Sequence, residues 1–413
     1  MSKTVSRSDG RVRVLQLITR LIVGGAQENT IAAAGEVDRG RFESELWTGP
    51  QAGSEGSLLD DARRRCIPVT IIPNLVREIS PFKDILVTAQ LARMMRARRF
   101  DIVVTHSSKA GIVGRVAARL AGVPHVTHVH HGWGFHDRMH PLVRWFYAGI
   151  ERAMSWITWP LVSVSERTTR VGLDAHIGRP ASYRLIRSGI PLADFYPDDQ
   201  VRERVRTELG VSRDEILVGS VGRLSPQKNP HDFVRVARGT FSRHENARFV
   251  YVGDGPLRAE IEAAVSDAGL DGKLELLGLR HDVPDLLRAF DLFILTSLWE
   301  GLPRVVPQAL ATGVPVVAYD IAGIEESVIE GRNGHLVRPE AVEEMVERLD
   351  RLISDASLRA EMSRRAIEEF DESFSERAMV RNYEQLFEDL VSGRESRAAH
   401  RRRAAGRPSS TRR

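Results

Sequence analysis

Two cations and one acid in the C-terminal half have the types and spacing expected of a site for a diphosphate and a sugar. Arg223 and Lys228 lie in the turn GRLSPQKNP, which follows a predicted buried strand at 216–221 and precedes a predicted helix near 231. Their charges can neutralise charge that builds up on a leaving nucleotide diphosphate. Glu300 can bind sugar hydroxyls, because an ionised carboxylate offers only hydrogen-bond acceptors. The three residues favour a nucleotide-sugar ligand.

The stretch that follows Glu300, GLPRVVPQALATGVPVVAYD, predicts a turn, a short apolar helix and a strand at 314–318. A helix whose first residue is Pro303 would leave free N–H groups beside an anion. Pro307 conflicts with that start, because a proline at the fifth helical position clashes with the carbonyl four residues earlier, so the helix either kinks or begins later. The alternative is an ordinary buried helix and strand. The donor contacts predicted here are Gly301, Leu302, Pro303, Arg304 and Val305.

Polar residues also follow predicted strands of the N-terminal half. Open α/β sheets bind ligands at the carboxyl ends of their strands, and these residues come directly after strands at 100–106 and 126–129. Histidine can hold a sugar hydroxyl or ease proton movement. A zinc site is the rival interpretation, but it needs two more ligands, and the spacing supplies no His-x-x-x-His pair on one helical face. The residues predicted to line this ligand-binding edge are His106, Ser107, Lys109, His130 and Trp133.

The elements that must position these groups alternate between strand and helix. A strand at 12–19, a loop with Gly24 and Gly25, and a helix at 27–37 form the first unit, and further strands at 42–47, 68–72, 100–106 and 126–129 follow. A helix at 57–65 is also predicted. This alternation indicates an α/β protein with parallel sheets. We expect one domain at 11–190, a hinge near 190–197 and a second domain at 197–370.

The segment EGLPRVVPQALATGVPVV resembles the signature of the retaining family-4 glycosyltransferases, and GRLSPQKN resembles their GRxxxxKN segment. Glu300 matches the first acid of the signature, whereas Gln308 stands where the family has a second acid and can bind a ribose hydroxyl only through an uncharged amide. The resemblance implies the GT-B fold, in which two Rossmann-like domains face each other across a cleft. It also implies that a C-terminal helix at 375–390 returns to the N-terminal domain.

The resemblance assigns further roles. His131 matches the acceptor-side histidine at the HG step, which makes His106, Ser107, Lys109, His130 and Trp133 the predicted acceptor-side residues. Gly24 and Gly25 match a segment that touches donor phosphate or acceptor. Leu279 and Arg280 fall in the loop used for the nucleotide base. Gly253, in GDGP, follows the strand predicted at 249–252. The expected catalytic residues are His131, Glu300, Arg223 and Lys228.

The implied reaction moves a sugar from a UDP- or GDP-sugar to a hydroxyl of a glycan or polyprenyl-diphosphate-linked acceptor, with retention of configuration. Without an Asp-x-Asp motif or a carboxylate pair, we expect a metal-independent, front-face route in which the leaving phosphate oxygen takes the acceptor's proton. No cofactor is expected besides the nucleotide-sugar co-substrate. HSSKAGIVGRVAA and HHGWGF resemble the branch that builds bacterial surface polysaccharides. A nucleotide-sugar epimerase of the same architecture is the alternative.

Composition bounds the remaining possibilities. The 413 residues carry a formal charge of +4, but residues 393–413 hold eight arginines and one glutamate, so this tail contributes +7 and the rest −3. We expect the tail to be disordered, and to be either simply solvated or in contact with anionic lipid. A nucleic-acid-binding protein is a third interpretation that rests on the tail alone. The chain has one cysteine, Cys66, and no apolar run long enough to span a membrane. Both features favour the cytosol, and the protein could there contact the inner face of the membrane.

Overall fold

The computed structural model describes residues 10–51 and 56–394, which form two compact units. The N-terminal unit combines the residues up to Ser188 with those from Glu376 onward, and the C-terminal unit runs from Gly189 to Ser375. Each unit is built on its own parallel sheet. The predicted α/β class is therefore confirmed. The arginine tail predicted at 393–413 lies, apart from its first two residues, outside the described part of the chain.

The described residues of the N-terminal unit alternate between strands and helices. Their bounds are β1 (Val12–Ile18), α1 (Gly25–Gly35), β2 (Phe42–Thr48), α2 (Leu59–Arg64), β3 (Val69–Ile71), α3 (Pro81–Arg98), β4 (Ile102–His106), α4 (Ser108–Ala121), β5 (His125–His130), α5 (Pro141–Ser155), β6 (Leu161–Ser163), α6 (Glu166–Asp174) and β7 (Tyr183–Leu185). The strands are parallel and lie in the order β3-β2-β1-β4-β5-β6-β7.

The strand order reverses between β1 and β4, and this reversal sets the position of the helices. From β3 onward the chain moves in one direction across the sheet, and right-handed crossovers therefore place α3, α4 and α5 on the same face. Lys109 of α4 pairs with Asp84 of α3, and Arg115 of α4 pairs with Glu151 of α5, so the three helices lie side by side. All three begin at the edge formed by the strands' carboxyl ends, where such sheets bind ligands.

The C-terminal unit repeats this plan with a second sheet. Its elements are α7 (Asp199–Glu208), β8 (Ile216–Val221), α8 (Pro230–Phe241), β9 (Ala247–Val252), α9 (Arg258–Asp267), β10 (Leu274–Gly278), α10 (Val283–Ala289), β11 (Leu292–Leu295), α11 (Val305–Ala311), β12 (Val316–Tyr319), β13 (Gly334–Val337), α12 (Val342–Ser354) and α13 (Ala356–Glu368). The parallel strands lie in the order β10-β9-β8-β11-β12-β13. The central strands are fully buried apolar runs, as parallel strands covered on both faces require.

The last helix, α14 (Glu376–Val391), belongs to the N-terminal unit. The ring of Phe387 packs edge-on against Phe42 of β2 with centroids 5.6 Å apart. Arg41 pairs with Glu384 at 2.6 Å. These contacts bring the end of the chain back onto the first sheet. Among the described residues, no helix combines the length and apolar character needed to cross a bilayer.

Several predicted boundaries are wrong by one or two residues, including those of the strands predicted at 68–72, 100–106 and 126–129. The helix predicted at 27–37 is α1, which begins at Gly25 because the N–H groups of Gln27 and Glu28 donate to the Gly24 carbonyl. The helix predicted at 57–65 is the shorter α2. The strand predicted at 314–318 begins two residues later, because the Val314 N–H donates to Ala309 and closes the end of α11.

Candidate active site

The loop after β8 brings two of the predicted residues into contact. Lys228 forms an ion pair with Glu300, which comes from the loop after β11, and both side chains are mostly buried. The Gln227 side-chain amide donates to the other Glu300 oxygen at 3.3 Å and to the Trp299 carbonyl at 2.9 Å. Two donors thus fix the Glu300 carboxylate at the carboxyl edge of the second sheet. Gln227 was not predicted from the sequence, since it lies in a turn where no pattern distinguishes it.

Tyr251 completes this cluster at the end of β9. Its hydroxyl lies 3.5 Å from the Arg223 carbonyl, and burial together with the charge of Glu300 raises the pKa of Tyr251. The phenol therefore stays protonated and can act as a donor. Sequence analysis did not identify Tyr251, because a tyrosine inside an apolar strand has the pattern of a core residue. The structure thus places the backbone of Arg223 beside this cluster.

Gly253 and Gly255 allow two loops to pack backbone against backbone. Gly253 has φ of 134°, and a Cβ there would lie 2.0 Å from the Gly222 carbonyl oxygen. A Cβ on Gly255 would lie 2.4 Å from the Leu224 carbonyl oxygen, and the Leu224 N–H donates to Asp254 at 3.0 Å. The predicted role of Gly253 as a donor contact stays a prediction, but the structure gives this glycine a clear part in positioning the loop that carries Arg223.

The turn after Glu300 differs from its prediction in one respect. The helix α11 begins at Val305, so Pro303 lies before the helix and is not its first residue. Pro307 explains the difference, since it now falls in the first turn, where its missing N–H breaks no helical hydrogen bond. The buried Arg304 donates from Nε to the Gly189 carbonyl at 2.8 Å and so ties this turn to the start of the C-terminal unit. Gln308 is half-buried on α11, and its ribose contact stays a prediction.

The remaining predicted donor residues lie in two separate places. Gly301 and Leu302 are buried in the turn, and a Cβ on Gly323 would meet the Gly301 carbonyl oxygen at 2.3 Å. After β10, Leu279 is 39% exposed, whereas Arg280 pairs with Asp282 at 2.5 Å and with Glu208 at 2.9 Å. The Arg280 guanidinium is thus already neutralised by two acids, which leaves Leu279 as the more accessible side chain of this loop.

A chain of three side chains lies at the carboxyl edge of the first sheet. His106 Nε2 lies 2.8 Å from Gln16 Oε1, and His106 Nδ1 lies 2.8 Å from His131 Nε2. Because the amide oxygen only accepts, His106 carries its proton on Nε2, and its Nδ1 then accepts from His131 Nε2–H. Burial, and then the charge on His131, lower the pKa of His106 well below 6.5 and keep it neutral. The contact with His106 thereby orients the His131 ring.

His130 and Trp133 also come together. Their rings stack with centroids 4.1 Å apart, and Trp133 Nε1 donates to the Thr168 carbonyl at 2.9 Å. His128 lies edge-on to His130 at 4.6 Å. Burial, and then the charge of Arg115, lower the pKa of both histidines well below 6.5. These rings line a cavity of about 70 Å³ with Ser107, His131 and Glu151, which has room for a few water molecules or a single substituent of a ligand.

The buried pair formed by Arg115 and Glu151 was missed from the sequence. One guanidinium nitrogen of Arg115 lies 2.9 and 3.0 Å from the two oxygens of Glu151. The carboxylate lies near His128 and His130, and the three residues offer metal-binding atoms within 4.8 Å of one another. This group has no local sequence pattern, because His128 and His130 lie on β5 whereas Glu151 lies on α5. The positive charge of Arg115 beside this carboxylate would repel a metal cation bound there. The expectation of a metal-independent enzyme stays a prediction.

Ser107 and Lys109 hold the start of α4. Ser107 has φ of 62°, and its hydroxyl lies 2.7 Å from that of Thr19 at the end of β1. Lys109 pairs with Asp84 and donates to the Glu78 carbonyl at 2.8 Å. Both residues lie at the predicted edge, and these contacts are within the protein. Gly24, the residue before α1, has an extended φ of 168°, so its conformation does not itself require glycine, and contacts of Gly24 and Gly25 with a ligand stay predictions.

Comparisons with known proteins settle the family. Residues 201–369 match the model of glycosyl transferases group 1, and residues 24–170 match the glycosyl transferase 4-like domain. The chain is 32% identical over 344 residues to the UDP-Gal:alpha-D-GlcNAc-diphosphoundecaprenol alpha-1,3-galactosyltransferase of Escherichia coli. The alignment covers 83% of this chain and 88% of that protein. The chain is a family-4 glycosyltransferase. The predicted family is therefore confirmed, and the matched segments contain Lys228, Glu300 and His131.

Other similar proteins support the glycosyltransferase assignment and its fold. The 2-deoxystreptamine glucosyltransferase of Streptomyces kanamyceticus is 29% identical over 294 residues, which are 65% of this chain and 72% of that protein. The crystal structure of Anabaena Alr3699/HepE in complex with UDP and glucose has a TM-score of 0.79 at 22% identity, over 92% of this chain and all of that one. WaaG, a glycosyltransferase involved in lipopolysaccharide biosynthesis, gives a TM-score of 0.72 at 16% identity, with 92% and 100% coverage. The predicted GT-B fold is thus confirmed.

Proposed function

We propose that this glycosyltransferase moves a hexose from a UDP-sugar to a sugar carried on a polyprenyl diphosphate, with retention of configuration. The observation that carries the proposal is the contact between Lys228 and Glu300, which places a cation and a carboxylate together at the ligand-binding edge of the C-terminal sheet. The Escherichia coli relative, named for UDP-galactose and a diphosphoundecaprenol acceptor, supports the choice of both substrates. The sequence expectation included GDP-sugars, which stay the second class of donor to test.

The donor's diphosphate would bind Arg223 and Lys228. Both cations follow β8, and Lys228 is held in place by Glu300. Their positive charge would stabilise the negative charge that develops as the bond from the anomeric carbon to the phosphate oxygen breaks. We propose that they, and not a metal ion, carry this task. The second oxygen of Glu300, which receives only a 3.3 Å hydrogen bond from Gln227, can accept from a hydroxyl of the transferred sugar.

The acceptor hydroxyl would approach the same face of the sugar that the diphosphate leaves. In this front-face route the acceptor oxygen bonds to the anomeric carbon, the carbon–phosphate-oxygen bond breaks, and the acceptor's proton passes to the departing phosphate oxygen. His131, whose ring is held in place by its contact with His106, would orient the hydroxyl. The reaction then needs no carboxylate pair and no cofactor. The two predicted sets of residues thus act on donor and acceptor respectively.

We further propose that the enzyme works in the cytoplasm at the inner face of the membrane, where a polyprenyl-linked acceptor presents its head group. The two other interpretations are weaker. An epimerase is not favoured, since the relatives described above are named glycosyltransferases. A nucleic-acid partner rests on the arginine tail, which lies almost wholly outside the described residues.

Donor-dependent stabilisation and acceptor-dependent turnover test the proposal. UDP- and GDP-sugars are screened by thermal shift, because a ligand that binds only the folded state raises the melting temperature by mass action. The stabilising donor is then incubated with and without N-acetylglucosamine linked to a polyprenyl diphosphate. We expect rapid nucleotide release only when the acceptor is present. If the donor were converted to an epimer or to free sugar at the same rate with and without acceptor, the proposal would be contradicted.

A further inference from the structure

The helix α3 has a buried apolar face and, in its first turns, a separate apolar stripe that is exposed. Phe82, Ile85 and Leu86 are 84%, 67% and 64% exposed, and their spacing places them on one helical face. The opposite face, with Val87 and Leu91, is fully buried against the sheet. Core packing therefore does not explain the outward apolar residues. Beyond them the exposed surface of α3 becomes charged, with arginines at 93, 96 and 98.

The helix α5 shows the same asymmetry. Leu142, Trp145 and Phe146, in its first two turns, are 71%, 70% and 58% exposed. The buried side of this helix is formed by Ala148 and Glu151, one turn later. Large apolar side chains that are grouped and exposed mark a binding surface, whereas single exposed ones need no explanation. We call the six exposed residues of the two helices the apolar rim: Phe82, Ile85, Leu86, Leu142, Trp145 and Phe146.

The two halves of the apolar rim flank the acceptor-side residues. Both helices begin at the carboxyl edge of the first sheet, on either side of α4. Lys109 in the first turn of α4 pairs with Asp84 of α3, and Ser108 lies against Gly134 in the loop before α5, where an added Cβ would be 3.1 Å from the serine hydroxyl. The rim therefore lies around the edge that carries His106 and His131.

We infer that the apolar rim docks the N-terminal unit on an anionic lipid bilayer, so that its acceptor-side edge faces the lipid head groups. Tryptophan and phenylalanine next to cations are typical of segments that lie in a bilayer interface. Within residues 77–86 and 137–146, Asp84 is neutralised by Lys109 and Asp137 pairs with Arg144 at 2.8 Å, and the four cations still outnumber the two remaining carboxylates. The inference rests on the proposed function for its occupant, since a polyprenyl-linked acceptor is reached only at a bilayer surface. The four cations are Arg77, Lys83, Arg138 and Arg144.

The helix α5 offers two tryptophans of similar exposure, one inside the apolar rim and one outside it. Trp145 and Trp156 are 70% and 72% exposed, but Trp145 lies in the first turns of α5 and Trp156 directly follows its last turn. Phe82 and Leu120 provide a second comparison, because Leu120 is 58% exposed at the far end of α4. The full chain is used throughout, so the arginine tail contributes equally to every protein.

Binding to vesicles of phosphatidylglycerol and phosphatidylcholine is measured by flotation. We expect the Phe82→Ser/Trp145→Ala variant to lose at least tenfold in partitioning, whereas Leu120→Ser/Trp156→Ala binds like the original chain. Equal losses for both pairs, or no loss for either, would overturn the inference. Sedimentation of both variants is also compared, because a rim that joins two copies of the chain would show as a dimer that Trp145→Ala dissociates while vesicle binding is unchanged. That result would likewise overturn it.

Two further assays separate this inference from the proposed function. The Phe82→Ser/Trp145→Ala variant should keep its UDP thermal shift and its transfer to a short-chain, water-soluble acceptor, and should lose transfer only to acceptor embedded in vesicles. If the original chain transfers sugar to neither acceptor, the proposed function fails while the flotation result still decides the docking surface. Loss of the UDP thermal shift in the rim variant would show misfolding, and the single Trp145→Ala change then replaces the double one in the same comparison.

Discussion

His106 Nδ1 lies 2.8 Å from His131 Nε2, while the other nitrogen of His106 lies 2.8 Å from the Gln16 amide oxygen. This arrangement fixes the proton of each ring, since the amide oxygen only accepts. It gives His106, which is buried, the part of a positioning residue for the more accessible His131. His131, the residue proposed to contact the acceptor, and His106, which orients it, thus lie at the ends of two neighbouring strands, β5 and β4.

Loss of His106 should therefore slow transfer without affecting the donor. In His106→Leu, His131 loses the partner of its Nε2–H, and we expect kcat to fall by about tenfold, less than the ~10²-fold expected when His131 itself is changed to alanine. Steady-state kinetics should show an unchanged donor KM. His125→Leu is the control, because His125 lies at the opposite end of β5. A loss of similar size in that variant would mean that the effect is only structural.

The contact between Lys228 and Glu300 predicts a defect that is specific to the donor. Lys228→Ala removes one of the two proposed diphosphate cations and leaves Glu300 without its ion pair, so we expect kcat/KM for the donor to fall about 10²-fold. Lys273→Ala is the matched control, since Lys273 is a lysine of the same unit that lies near Phe241. Unchanged donor kinetics in Lys228→Ala would refute the role of this lysine.

Three buried histidines predict that acid destabilises the protein. Burial holds the pKa of His106, His128 and His130 well below their ordinary 6.5. Because the unfolded chain binds these protons first, the histidines contribute stability that is present above pH 6.5 and is lost as the pH falls toward their folded pKa values. Melting temperatures measured from about pH 8 to pH 5 should decline below about 6.5. His130→Asn should make that decline shallower, and an unaltered slope would contradict the assignment for His130.

Removal of one partner of the buried ion pair should be costly. Glu151→Ala leaves the Arg115 charge buried without its carboxylate, and we expect about 3–5 kcal/mol of destabilisation. The double variant Arg115→Met/Glu151→Leu should recover most of this loss, since neither charge remains to be buried. Urea denaturation of the three proteins measures the difference. A double variant no more stable than Glu151→Ala would show that packing, and not the uncompensated charge, causes the loss.

Gly253 should tolerate substitution less well than another glycine with positive φ. Gly253→Ala brings a Cβ to 2.0 Å from the Gly222 carbonyl oxygen, so the loop that carries Arg223 must move. Gly269→Ala introduces only the backbone strain of about 1–2 kcal/mol, because its Cβ would meet nothing within 4 Å. We expect a larger fall in melting temperature and a weaker UDP thermal shift for the first variant. Equal effects of the two variants would show that the close approach is unimportant.

The sequence predicted the features that local patterns encode. Alternating apolar strands and helices gave the α/β class, and the spacing around Arg223, Lys228 and Glu300 gave two residues that are in contact. Prediction failed where no local motif distinguishes the residues that matter. Glu151 was overlooked because its partner Arg115 lies on another helix, and Tyr251 because its surroundings are those of a core strand.

Boundary errors have a local physical cause. The start of α11 was uncertain from the sequence because two prolines compete for its first turn, and the structure accommodates Pro307 inside the helix and leaves Pro303 outside. Side-chain pairing of Arg280 and Lys109 was equally hidden, since a cation's partner depends on how helices pack. The sequence thus indicated which loops carry the candidate residues, but it did not show which side chains contact one another.

The stereochemistry of the isolated product is the most direct test of the central claim. The purified enzyme is given UDP-galactose, or whichever donor the thermal-shift screen identifies, with a polyprenyl-diphosphate-linked N-acetylglucosamine, and the new linkage is determined by NMR. We predict a lipid-linked disaccharide whose new bond keeps the α configuration of the donor, formed at least tenfold more slowly by Lys228→Ala. A β-linked product, or consumption of the donor without any lipid-linked disaccharide, would contradict the account.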